Sequence, residues 1–182
     1  MNAESRLSRL TFNINPSRPL APSFSSFPTA QLMTPRRFDL AVKHRYFVAL
    51  LRGGDPDAEC VYRWMIDKRS GARMKAGLAT DKWKTNLADY TEAAKELLAS
   101  MVSHGFKPEG AIPIDPGGEL LDGSHRVACA LALGLEAIPV APKLTRAWAP
   151  AWGENWFVAN GMAAADLERL CSDFKLLANG TE

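Results

Sequence analysis

Residues 110–140 read GAIPIDPGGELLDGSHRVACALALGLEAIPV, and within them Leu121-Asp122-Gly123-Ser124-His125-Arg126 marks a change of pattern. Before that point Ile112 and Ile114 alternate, Pro116-Gly117-Gly118 supplies turn residues, and Leu120-Leu121 follows. Two short apolar runs around glycines that can take positive φ predict a hairpin. After it, Val127, Ala128 and Leu131 recur at helical spacing. Ser124 suits the N-cap and Gly134 the C′ position, so the spacing predicts a helix of about ten residues. Ala137-Ile138-Pro139-Val140 then reads as a strand, placed by Pro139 at a sheet edge or with Pro139 near the strand's own end.

A glycine ahead of a helix start lets a ligand approach the backbone, where the first N–H groups have no partner inside the helix. The helix dipole adds to this, making an anion site suited to phosphate. Ser124 offers a hydroxyl, His125 a ring N–H and Arg126 a planar fork. Asp122 is repelled by phosphate unless a cation lies between them, so it either holds Mg²⁺ or takes a proton from an attacking hydroxyl. The plain alternative is an ordinary D-G-S turn with an Asp122–Arg126 surface ion pair.

The motif Leu121–Arg126, with the small-residue helix, Gly134 and Ile138-Pro139-Val140, resembles the ParB/sulfiredoxin-like fold. In that family a G-x-H-R type signature opens a helix and binds nucleotide phosphates. The form here is similar to the D-G-x-H-R signature of free serine kinases. The resemblance covers about thirty residues of the chain. It implies ATP, or another nucleoside phosphate, held with Mg²⁺ by Gly123, Ser124, His125 and Arg126. It also implies a kinase acting on a small-molecule or sugar hydroxyl. Asp122 and His125, with Glu119 a weaker candidate, are then the catalytic residues, and Asp122 the metal carboxylate. Sulfiredoxin needs a cysteine where this chain has Ser124, which argues against sulfinic acid reduction. The G-E-R-R-type signature and helical DNA-binding domain of partition ParB proteins are not evident. A nucleotide-sensing regulator that binds DNA or a partner protein, and a phosphoesterase or nuclease, are the rival readings.

The 182 residues, 47% of them hydrophobic, suffice for one domain with a real core. A net charge of +2 gives no bulk argument for nucleic acid or membrane binding. Cys60, Cys129 and Cys171 are far apart and read as buried thiols of a reducing, cytoplasmic compartment. No apolar run reaches the length of a membrane span.

Residues 1–33, rich in proline and serine, predict an extended arm packed over a single domain at 34–182. That domain divides into a helical lobe at 34–105 and a sheet-containing core at 106–146. Thr34-Pro35 predicts a helix start ending at Gly53-Gly54, with Arg37 or Lys43 placed to reach an anion or simply to be solvated. Asp55-Pro56 predicts a second helix as far as Arg69, stopped by Gly71. Residues 68–84, with Lys68, Arg69, Arg73, Lys75, Lys82 and Lys84, predict a basic loop that is either a lid on the phosphate site or a solvated segment. Leu87 to Val102 has a clear helical period closed by Gly105. Lys143, Arg146, Trp148, Trp152 and Trp156 follow the last strand, either at the mouth of the site or docking the C-terminal helices at 155–159 and 163–178. The expected fold is α+β (mixed α/β): a small mixed sheet with a phosphate-binding helix N-terminus, surrounded by helices.

Overall fold

The computed structural model describes residues 25–77, 84–144 and 152–179. Strand β1 (Ser25–Pro28) leads through a 3-10 turn into α1 (Asp39–Leu51), α2 (Pro56–Lys75) and α3 (Leu87–His104). Then come β2 (Ile112–Ile114), α4 (Ser124–Ala132), β3 (Ala137–Pro142), α5 (Glu154–Ala159) and α6 (Ala164–Asn179). The described strands form one sheet in the order β1-β3-β2, antiparallel between β1 and β3 and parallel between β2 and β3. The protein is α+β, and β2-α4-β3 is a βαβ unit whose connection carries residues 122–126.

Local chemistry explains the helix ends. Asp55 caps α2, its carboxylate accepting the Asp57 and Ala58 backbone N–H groups, with Pro56 in the first turn. Asn86 and Asp89 make a reciprocal capping box on α3, and Gly105 ends that helix at φ 68°. As the periodicity predicts, Gly134 follows α4 at positive φ.

Several expectations are corrected. The first helix starts at Asp39, because Thr34–Arg37 closes as a turn through Arg37 N–H to Thr34 O (2.8 Å). Pro35 suits that turn as well as it suits a helix start. Gly71 does not stop α2: it lies buried inside the helix, where a Cβ would sit 2.6 Å from Asp67 Oδ1. Thus 68–75, expected in a basic loop, is helix; Lys82 lies outside the described residues, as do Arg146 and Trp148. The hairpin is reduced to a turn at Asp115–Gly118 and a single bridge between Ile114 and Leu120. Gly123 caps α4 and Ser124 is its first residue. Strand β3 is central, because Ser25–Pro28 pairs with it. Pro139 is tolerated there because pairing with β2 begins one residue later, at Val140. Cys60 is exposed on α2, whereas Cys129 is buried, which pushes its thiol up to about 12.

Helix α1 runs through the core. Leu40, Phe47 and Tyr46 are buried against α2 (Tyr62, Met65, Ile66), α4 (Val127, Ala128) and α6 (Leu170). Burying each of the large aliphatic or phenyl groups contributes roughly 1.5–3 kcal/mol. Ile112, Ile114, Ile138 and Val140 present the sheet to the same core. Trp64, Trp156, Phe157 and Phe38 form an edge-to-face and stacked cluster that docks α5 and α6. No described helix is long and apolar enough to cross a membrane.

Candidate functional site

The site lies at the carboxyl end of β2, where the chain enters α4. This is the place at which parallel strands with helical connections leave room for a ligand. Gly123 takes φ 87°, and a Cβ there would lie 2.8 Å from both Arg126 Nη2 and Ile112 Cδ1, so any other residue strains the backbone and displaces those side chains. A cavity of about 420 Å³ opens in front of it. Its walls are Asp122, Gly123, Ser124, His125 and Arg126 from the motif, Arg69 and Ser70 from α2, Lys84, and Tyr90, Ala93, Ala94 and Leu97 from α3.

Behind Ser124 lies a buried ionic cluster. Lys43 Nζ, fully buried, donates to Ser124 Oγ at 2.8 Å and to Asp39 Oδ2. Arg37 grips the same carboxylate with two parallel bonds of 2.9 and 3.0 Å, and Arg69 Nη1 lies 4.0 Å away. Arg37 also donates to Leu120 O at 3.1 Å, tying the cluster to the strand end before the motif. Burial alone would raise the Asp39 carboxyl, but Lys43, Arg37 and Arg69 outweigh it and hold it well below the usual carboxylate range. Burial, then Arg69 and Arg37, push the Lys43 ammonium down against the opposing pull of Asp39. Arg37, Arg69 and the Lys43 amino group thus converge on one carboxylate. The excess positive charge lies at the end of α4 where its dipole is also positive.

His125 is held by Tyr62, whose hydroxyl lies 2.9 Å from Nε2. Tyr62 is itself buried and stacked on Tyr46 at 4.2 Å, and its pKa is driven far up by burial, so the phenol stays protonated; its hydroxyl also donates to Tyr90 O at 3.4 Å. Burial, with Lys43, Lys84 and Arg69, keeps the ring well below the usual histidine range and therefore neutral at pH 7. Arg126 donates through Nη1 to Gly110 O, and its Nη2 is 3.9 Å from the exposed Asp122 carboxylate. Part of its fork is therefore spent on the backbone. Glu119 does not line the cavity; its carboxylate accepts from Thr34 Oγ1 at 2.9 Å.

The structure thus brings Asp122, Gly123, Ser124, His125 and Arg126 together and leaves Glu119 outside. Of the basic residues at 68–84 it puts Arg69 and Lys84 at the cavity, it adds Asp39 and Tyr62, and it puts Lys43 beneath Ser124, neither solvated nor on the cavity wall. One signal was present in sequence: Asp39, Lys43 and Tyr46 fall on one helical stripe, and a charged i,i+4 pair on an apolar face implies burial with a partner. Arg69 is positioned by Trp152, its guanidinium lying 4.4 Å over the indole ring. Among the described residues no group of three or more His, Cys, Asp or Glu gathers to hold a metal ion. A cation here would be carried mainly by a ligand's oxygens, with Asp122 as the protein carboxylate at hand. No family model matches the chain, and no curated protein or solved structure matches it either.

Proposed function

We propose that the protein binds a nucleoside triphosphate through its phosphates and transfers a phosphoryl group to the hydroxyl of a small molecule or sugar. The observation that carries this reading is the cationic cavity at the start of α4. Arg69, Lys84 and Arg126 line it, with the Ser124 hydroxyl, the His125 ring and the unpaired N–H groups of the helix. The D-G-S-H-R motif and its ParB/sulfiredoxin-like resemblance agree with that placement. Phosphoryl transfer depends mainly on positioning and charge, so a site of fixed cations and donors suits it.

In this reading the α4 N-terminus, Ser124 and His125 hold phosphate oxygens. Arg69 and Lys84 face them across the cavity, and Arg126 braces Gly123 and the loop at Gly110. Asp122 accepts a hydroxyl proton, or ligates Mg²⁺, which when bound neutralises phosphate charge. The 420 Å³ cavity is the size of a small-ligand site. A screen of hydroxyl acceptors with ATP, following diphosphate release, tests this. Turnover should fall at least about a hundredfold in Asp122→Asn. Diphosphate release at the same rate with no acceptor present would mean hydrolysis, and would contradict transfer.

A further inference from the structure

We propose that Ser124 is a covalent nucleophile of this site and that Lys43 is the base that takes its proton. The inference rests on the phosphoryl-transfer reading, because the electrophile it requires is the γ-phosphorus of the nucleotide. Its own support is a separate arrangement of groups. Ser124 lines the cavity, and its Oγ lies 2.8 Å from Lys43 Nζ, which has no exposed surface and which, as an amine, accepts from that hydroxyl instead of donating to it. Lys43 is in turn fixed by Asp39. A nucleophile, a base within hydrogen-bond reach and a third group that orients the base are the three parts of an activated hydroxyl.

A simple structural ion pair does not account for this cluster. Asp39 already has a bidentate partner in Arg37, so a charged Lys43 adds a second buried cation to a neutralised carboxylate. Arg69 adds a third. Burial, against the pull of Asp39, brings the Lys43 pKa down to about 7, so the amine form is within reach at neutral pH, and an amine beside a hydroxyl can receive its proton. Ser124 is also the first residue of α4, where the backbone N–H groups stabilise charge developing on an attacked phosphoryl group.

The steps balance. A bond forms between Ser124 Oγ and the γ-phosphorus while the bond from that phosphorus to the β,γ-bridging oxygen breaks. The nucleoside diphosphate leaves with the electron pair, and the serine proton moves to Lys43. An acceptor hydroxyl then attacks the phosphoserine and loses its proton to Asp122, and Lys43 returns its proton to the departing Ser124 oxygen. Without an acceptor the sequence stops at phosphoserine, which is stable enough to isolate.

The test incubates wild type, Ser124→Ala and Lys43→Met with Mg·ATP and no acceptor, and weighs the intact proteins and their peptides by mass spectrometry. Thermal unfolding of the same samples, with and without nucleotide, reports binding. The expected result is one phosphoryl group on the Ser124 peptide of the wild type and one diphosphate released per protein. The adduct should be absent in Ser124→Ala and should form about a hundredfold more slowly in Lys43→Met. Ser124 lies on the cavity wall rather than in the core, so Ser124→Ala keeps the test decisive should Lys43→Met fail to fold. A wild type that ATP stabilises but does not phosphorylate, or a Ser124→Ala protein with full transferase turnover, overturns the nucleophile and leaves the binding reading standing. A wild type that ATP neither stabilises nor phosphorylates overturns both.

Discussion

Asp39 holds together more of the site than any residue of the motif. It accepts from Arg37 and Lys43 at a buried position, and Arg69 approaches the oxygen that Lys43 contacts. Removing one member of a buried ion pair costs about 3–5 kcal/mol when its partner is left bare. Asp39→Asn should therefore destabilise by about that much in denaturant unfolding, and Lys43→Met by much less, because Arg37 still covers the carboxylate. Equal losses would mean that the cluster is organised around Lys43 instead. His125 makes a second prediction. Its folded pKa lies well below 6.5, so under acid conditions the unfolded chain takes a proton that the folded ring refuses. Unfolding free energy should then fall as pH drops below about 6.5, by up to about 1.4 kcal/mol per unit from this group. His44, also lowered by burial, adds to the slope, whereas Asp39 titrates far below this window. His125→Gln should flatten the slope between pH 6.5 and 5; an unchanged slope would show that the ring is not shielded. At this scale the motif residues were legible because their chemistry is local. The Lys43–Ser124 contact was not, because 81 residues separate the two and only the packing of α1 on α4 joins them.

Among the elements, the turn into α4 decides the geometry. Gly123 needs positive φ and has Arg126 and Ile112 where a side chain would go, whereas Gly134, at φ 69°, has nothing within 4 Å. Gly134→Ala should cost about 1–2 kcal/mol from backbone strain alone. Gly123→Ala should cost more and should also weaken nucleotide binding, because Arg126 must move. Thermal unfolding of the two variants compares them directly, and equal costs would contradict the close approach. The start of α2 at Asp55-Pro56 and the ends of α3 at Gly105 and of α4 at Gly134 were readable because capping residues and glycines mark them. The start of α1 was not, because Thr34-Pro35 serves a turn as well as a helix. Strand β1 carried no alternation to find: Ser25-Ser26-Phe27-Pro28 is a strand because β3 offers it an edge, a tertiary cause that overrides propensity. Gly71 misled for the opposite reason, since a small residue was needed inside α2 beside Asp67.

The whole molecule is a helical frame that delivers cations to one end of a βαβ unit. Helix α1 supplies Lys43, α2 supplies Arg69 and Tyr62, and α3 closes the cavity with Tyr90 and Leu97. The central claim is that this cavity takes the phosphates of a nucleotide. The direct measurement is thermal unfolding of wild type and Arg69→Ala with ATP, ADP or CTP plus Mg²⁺. Arg69 is the informative position because, unlike Arg126, none of its described contacts ties the loop before α4 to the backbone. A ligand at a hundred times its dissociation constant adds about 2.7 kcal/mol, roughly 5 °C or more for a chain of this size. The expected result is that shift for at least one nucleotide with the wild type and a much smaller one with Arg69→Ala. No shift with any nucleotide, or an equal shift in both proteins, would contradict it.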